Sequence, residues 1–460
     1  MRASASITTA CERSLALYLP ARIPGESLLE ESKTIGIPAD EHAGRQIASA
    51  RKEMLRYYIQ TFSILLTTNL ENNCFLSVFL PMAMDSPTLL NAIIAWSASH
   101  LSLRDANYKE VALHLRGLSL SSLSSIISPS QGKPELEVAL SSCLVLCGME
   151  SILGDNERWY QHLSGAFEVI RSSTTMDVGK DSALVPTGFL ATTDGRWLLR
   201  NFAYHDVFMS VTCQRRPLLT GNYWANADEP TADSYFGLAS RLIYLISEIS
   251  VLNADMSEMA DFIHVSEVTS PLAIDHDLIE PFFDDSHLPD SSPDSTATFS
   301  TRAHILELRL LQWQCAPSKS LSLVSLAEAY RLAALIHLYR TLRAHLTDLR
   351  STLDFKISQV VENMVECLET MPAGCLPESG LLFPLFLAGG EAHKAEHIEV
   401  IRQRMLDIVE ARHFANVRAA LDVLDELWRS RARCRGQTGL SEDLDWTKIL
   451  EKRNWKLPLT

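Results

Sequence analysis

The chain has no Cys-x2-Cys pair, and its first 70 residues hold a single cysteine, Cys11. Closed tetrahedral zinc sites need four thiolate or imidazole ligands at short spacing, so no such site is written into this stretch. The nine cysteines, Cys11, Cys74, Cys143, Cys147, Cys213, Cys315, Cys367, Cys375 and Cys434, are odd in number and follow no framework spacing. That usage suits reduced thiols of cytosol or nucleus rather than a secreted scaffold. No glycine-rich phosphate loop and no Gly-x-Ser-x-Gly elbow occurs, which argues against the common nucleotide-binding and serine-hydrolase signatures. Positive charge is short as well: 41 Lys and Arg face 56 Asp and Glu, for a net charge of −15. A phosphate backbone repels such a surface on average. Long apolar runs are missing, and the stretches 89–98 and 381–388 fall below the roughly 18 residues of a membrane span. Residues 1–19 carry no secretory apolar region. The sequence reads as intracellular and membrane-free.

What is present points to helices. Hydrophobic residues make up 47% of the chain and charged residues 21%, a globular composition. No long alternation of β-branched residues appears, whereas apolar residues recur at three- and four-residue steps. Met54, Leu55, Tyr58, Ile59, Phe62 and Leu65 trace one such face. Ser86 and Pro87 mark a helix start, because serine caps the free N–H groups and proline costs nothing in the first turn. A helix over 135–153 is expected to end at Gly154, with Asp155 starting the next. Further helices are expected over 197–212, 235–252, 301–314, 326–349, 355–368, 382–388, 398–408 and 417–428. The fold class is all-α, an irregular array of antiparallel helix pairs forming one large helical domain. Residues 1–48 read as a poorly ordered leader and 49–253 as the first part of the domain. Residues 254–300, rich in Asp and Ser and broken by Pro281, Pro289 and Pro293, read as an acidic insertion or linker. Residues 301–460 complete the domain.

Few residues carry a chemical signal. Cys143 and Cys147 share a helix face, but no neighbours complete a metal site, so both read as core thiols. His393-Lys-Ala-Glu396-His397 matches a zinc-peptidase pattern by letter, without a third ligand, and reads as coincidence. Tyr204-His205-Asp206 with Ser210 offers catalytic residue types. Adjacent side chains on a helix diverge, however, so no relay is expected, only a polar edge packed on its neighbours. No catalytic, cofactor-binding or metal residues are assigned. The segment 275–294 mixes acids with Leu278, Ile279, Phe282, Phe283 and Leu288 and has no Lys or Arg. It reads as a solvated insertion with some likeness to acidic activation segments. Arg429, Arg431, Arg433 and Arg435 form the one dense basic run. They could serve nuclear import or a phosphate contact, or favour a helix C-terminal dipole.

Several segments resemble, in order, the fungal-specific transcription factor domain found downstream of a six-cysteine binuclear zinc cluster. They are Phe75-Leu-Ser-Val-Phe-Leu-Pro-Met-Ala83, Ser97-Ala-Ser-His-Leu101, Gly154-Asp-Asn-Glu-Arg-Trp-Tyr-Gln-His-Leu-Ser-Gly-Ala166 and Phe202-Ala-Tyr-His-Asp-Val207. Ala327-Glu-Ala-Tyr-Arg-Leu-Ala-Ala-Leu335, Leu382-Phe-Pro-Leu-Phe-Leu-Ala-Gly389 and Ala420-Leu-Asp-Val-Leu-Asp-Glu-Leu-Trp428 continue the series, ahead of Asp445-Trp446. The resemblance implies a nuclear, all-α, non-enzymatic regulatory domain controlling metabolic, stress or secondary-metabolite genes. It further implies that partners are the transcription machinery or another regulator, and a homodimer contact would fit. The family's zinc cluster does not occur in these residues. Zinc would be a cofactor, and DNA a partner, only through an N-terminal module beyond them or through a partner regulator.

Overall fold

In a computed structural model, residues 41–127, 136–173, 186–224, 232–268, 293–434 and 444–460 are described. All the main elements among them are helices. Among the described residues, an isolated bridge between Asp233 and Gly237 is the single β interaction. The first helix, α1 (Glu41–Tyr57), starts inside the expected leader, ahead of residue 49, and passes through a wider π turn, Tyr58–Phe62, into Ser63–Leu66. A second π turn leads into α2 (Leu80–Asp85). Then follow α3 (Pro87–Arg104), α4 (Lys109–Ile127), α5 (Leu136–Ile152), α6 (Arg158–Ser172) and α7 (Thr193–Thr212). The second half holds α8 (Ser240–Val268), α9 (Pro293–Gln312), α10 (Leu321–His345), α11 (Arg350–Thr370) and α12 (Leu382–Glu391). It closes with α13 (Ala395–Arg412), α14 (Ala415–Cys434) and α15 (Trp446–Arg453).

Local signals set many of these ends. The Ser86 hydroxyl accepts from the Leu89 N–H with Pro87 in the first turn of α3, and Thr192 does the same for Gly195 at α7. Such caps each stabilise a helix by about 1 kcal/mol. Gly154, at φ +71°, ends α5. The Asp155 N–H reaches back to the Glu150 carbonyl at 3.1 Å, the closing bond of a left-handed C-terminal turn. The Asp155 carboxylate then accepts from the Glu157 and Arg158 N–H groups ahead of α6.

Neighbouring helices joined by short connections pack antiparallel: α3 on α4, α5 on α6, α10 on α11 and α13 on α14. α5, α7, α10 and α12 form the centre. Every residue of α12 is buried, as is α5 from Val138 to Ile152. Their sequences are apolar all round, as a helix enclosed by others requires. One aromatic array crosses this centre. Tyr204 lies 4.6 Å from Tyr235, Phe75 lies 5.0 Å from Tyr235, and Phe208 stacks on Phe383 at 4.3 Å.

Two expectations change. The expected insertion, 254–300, is narrower where it is described: residues 254–268 continue α8, and Pro293 starts α9 rather than breaking a helix. Proline is tolerated there because the first turn has no N–H bond to lose. α10 also reaches the length and apolarity of a membrane span, although the apolar runs alone fall short. Of its most apolar window, 67% is buried inside the fold. The acidic segment lies almost wholly outside the described residues, as do Cys11 and most of the leader.

Candidate functional site

The basic run divides by helical geometry. On α14, Arg429 and Arg433 lie one turn apart on the exposed side, and the Arg433 guanidinium donates to the Arg429 carbonyl at 3.3 Å. Arg431 points the other way. It donates to the Leu444 carbonyl at 3.3 Å, and burial pulls its pKa down. It faces a buried ion network on α10, α12 and α15. Arg340 pairs with Glu391, and with Asp445 at 2.9 Å, while Arg343 reaches Glu391 at 2.8 Å and Asp354 at 2.9 Å. Burial would push the Glu391 carboxyl up, but Arg340 and Arg343 hold it below the usual carboxylate range. Burial acts likewise on Asp445, and Arg340 nonetheless holds it down at about 2. Arg340 also stacks over the Trp446 ring at 4.7 Å. Arg435 lies outside the described residues.

The residue types with catalytic potential are dispersed. His205 and Asp206 leave α7 in different directions, as adjacent helical residues must. His205 Nδ1 meets the Thr460 hydroxyl at 2.9 Å. Asp206 instead accepts from the Leu218 and Leu219 N–H groups at 2.8 and 3.0 Å and faces Arg215 at 3.3 Å. Both side chains are buried, because α7 threads the centre of the fold. The Ser210 hydroxyl bonds Ser250 at 2.8 Å, which in turn meets His337 at 3.1 Å. His393 precedes α13 in the chain and His397 lies inside it, so one helix face does not carry both. Burial pushes the Cys143 thiol up to about 12 and the Cys147 thiol further. Among the described residues no cluster of three or more His, Cys, Asp or Glu could hold a metal. The scattered cysteines do not fit a binuclear zinc cluster.

What the fold does assemble is a cavity of about 50 Å³ beside the aromatic array. Trp96 of α3, Gly148 and Ser151 of α5, and Tyr204 and His205 of α7 line it. Asn416 of α14, Glu378 and Thr460 complete the wall. The closing segment is anchored from several sides. Trp159 Nε1 donates to the Lys456 carbonyl at 2.7 Å, and the Asn416 amide donates to the main-chain oxygen of Thr460 at 2.7 Å. Leu457 and Leu459 are fully buried. Burial pulls the His205 imidazole down to about 3, so it is neutral at physiological pH. The Glu378 carboxylate is matched by Arg404 at 2.9 Å and the Gly374 N–H at 2.9 Å.

Gly148 lets the Trp96 ring approach this wall. A Cβ there would stand 2.9 Å from Trp96 Cζ2. Gly148→Ala is expected to lower stability by about 1–3 kcal/mol, the usual cost of overpacking, with a changed near-ultraviolet tryptophan signal. An unchanged urea midpoint and spectrum would show that the ring yields freely. Sequence reasoning missed this cavity. Its polar members belong to segments hundreds of positions apart, and the one available signal was single polar residues, such as Asn416 and His205, inside apolar helical patterns.

The profile of the fungal specific transcription factor domain matches residues 53–460. Over 190 residues, 37% of this chain, the sequence is 27% identical to the transcriptional activator protein UGA3 of Saccharomyces cerevisiae. The match spans 36% of that protein, about a third of its length. No solved structure matches the chain. A transcription factor domain is not an enzyme class. With the profile running through nearly every described helix, the chain belongs to the fungal specific transcription factor domain family.

Proposed function

We propose that this chain is the regulatory part of a non-enzymatic transcription regulator acting in the nucleus on a fungal metabolic or secondary-metabolite gene set. The observation that carries the reading is the family match over 53–460, which coincides with one continuously packed helical body. DNA contact would come from a zinc-cluster module or from a partner regulator, since these residues hold no such cluster. Arg429 and Arg433, free of the buried network that engages Arg431, are the candidates for an import receptor or phosphate contact. Exposed Ile305, Leu308 and Leu311 on α9 support a contact with the transcription machinery or a second copy.

Fusing the chain to an unrelated DNA-binding domain in a fungal host tests this. A reporter carrying the matching operator should change in output, and the fusion should concentrate in the nucleus. An unchanged reporter with a stable, nuclear fusion would remove the reading. The net charge of −15 favours a second reading, a non-DNA-binding interaction protein that modulates a partner regulator. Purified chain that binds a promoter duplex unaided would exclude it.

A further inference from the structure

Three large apolar side chains stand exposed on a single face of α9: Ile305, Leu308 and Leu311, at 42%, 39% and 54%. Their three-residue spacing keeps them on one side of the helix, opposite Ala303, Leu306 and Leu310, which are buried. Thr301, His304 and Gln312 share this outward side and are exposed as well. Phe355, 68% exposed, lies on the neighbouring α11, one position before the Lys356 that bonds Glu307 of α9 at 2.7 Å. Together the four apolar side chains offer on the order of 400 Å² of surface, the size at which an exposed patch marks an interaction site.

Charge decides which partner fits. The outward face holds no Asp, Glu, Lys or Arg. The charges along its edges are engaged within the chain: Arg302 pairs with Asp255 at 2.5 Å, Glu307 with Lys356, and Arg309 acts on Glu248 of α8. An acidic or a basic peptide would find its counter-charges already taken. A second copy of this chain fits better. With a net charge of −15, two copies repel over most of their surface, and contact costs least where neither presents charge. The face also matches itself. Ile305 and Leu311 lie equally far from Leu308 on either side. An antiparallel two-fold through Leu308 therefore sets each Ile305 on the other copy's Leu311, Leu308 on Leu308, and His304 opposite Gln312.

We propose that the outward face of α9 is a homodimer interface, in which two copies pack α9 antiparallel about Leu308. This narrows the contact proposed above to a second copy and rests on that reading for its regulatory role; the pairing itself stands on the face. A standard stable interface buries about 800 Å² on each partner. The apolar centre falls short of that and needs the flanking polar positions and Phe355. The dimer should therefore form with rising concentration and dissociate on dilution.

The test is sedimentation velocity on the full chain over a wide range of concentration. The sedimenting mass should rise from one chain to two. Leu308→Glu sets two carboxylates face to face and should weaken the dimer by about 100-fold, the usual effect of like charges in contact. Its site is exposed, so helical content and urea midpoint should stay at parent values. Leu113→Glu, on the exposed side of α4, should leave dimerisation unchanged. Ile305→Lys and Leu311→Glu should each weaken the dimer. Combined in one chain they should recover it, because each introduced lysine then meets an introduced glutamate of the other copy. If Leu308→Glu fails to fold, the variants at 305 and 311 carry the test. A parent that stays monomeric at every concentration overturns the proposal and leaves the face to another protein. So does a dimer that Leu308→Glu leaves intact, one that Leu113→Glu disrupts, or a combined variant no better than either single change. A dimer beside an unresponsive reporter would uphold the interface while removing its regulatory role.

Discussion

Glu391→Ala is expected to destabilise the domain by about 3–5 kcal/mol, the usual cost of leaving buried charges without their partner. Glu391 is 3% exposed and lies between Arg340 and Arg343, with Arg431 facing the same network. Its removal leaves the guanidiniums with Asp445 and Asp354, both of which are more exposed. The effect should reach beyond α12, because the network joins α10 to α15, and Trp446 packs on Phe386 of α12 at 5.2 Å. A urea titration followed by tryptophan fluorescence reads the loss directly. Adding Arg340→Met should recover part of it, since the second change removes an orphaned charge and restores apolar volume. A single variant as stable as the parent would mean that the network is solvated and the carboxylate is dispensable.

Acid should unfold the domain well before ordinary carboxylates titrate. Burial pulls His100 down to about 4, and His205 and His337 to about 3. In the native state these imidazoles stay neutral, while in the unfolded chain each takes a proton below about pH 6.5. Their stabilising contribution is present above that pH and is lost as pH falls toward 3–4. Each contributes up to about 1.4 kcal/mol per pH unit within the window. Two buried carboxylates act in the opposite sense. Burial raises Asp206 to about 6 and Glu150 to about 7, so their contributions are present at low pH and fade as pH rises through those values. The three imidazoles outweigh them, and below about pH 4 the loss of Asp445 ionisation adds to the decline. Urea midpoints should therefore drop steadily from pH 6.5 to pH 4. His337→Gln, which can still meet Ser250, should make that slope shallower by about 1.4 kcal/mol per pH unit. A flat profile between pH 7 and 5 would show that water reaches these rings.

Helix identity was legible from local chemistry. Ser86 with Pro87, Gly154, and the apolar spacing of α5 and α12 act within a few residues, so the sequence alone determines the all-α class and many helix ends. The divergence of His205 and Asp206 was legible for the same reason, since it follows from the angle between successive helical side chains. The extent of α8 was not. Residues 254–268 look polar and acidic, yet they continue an established helix, and Asp255 gains Arg216 and Arg302 as partners. The tertiary structure also divided the basic run, because the turn of α14 points Arg431 to the ion network and leaves Arg429 and Arg433 in solvent. The cavity belongs wholly to that level. Trp96, Ser151, His205, Asn416 and Thr460 share a wall because five separate segments pack against one another, and no spacing within any one of them encodes how the others approach.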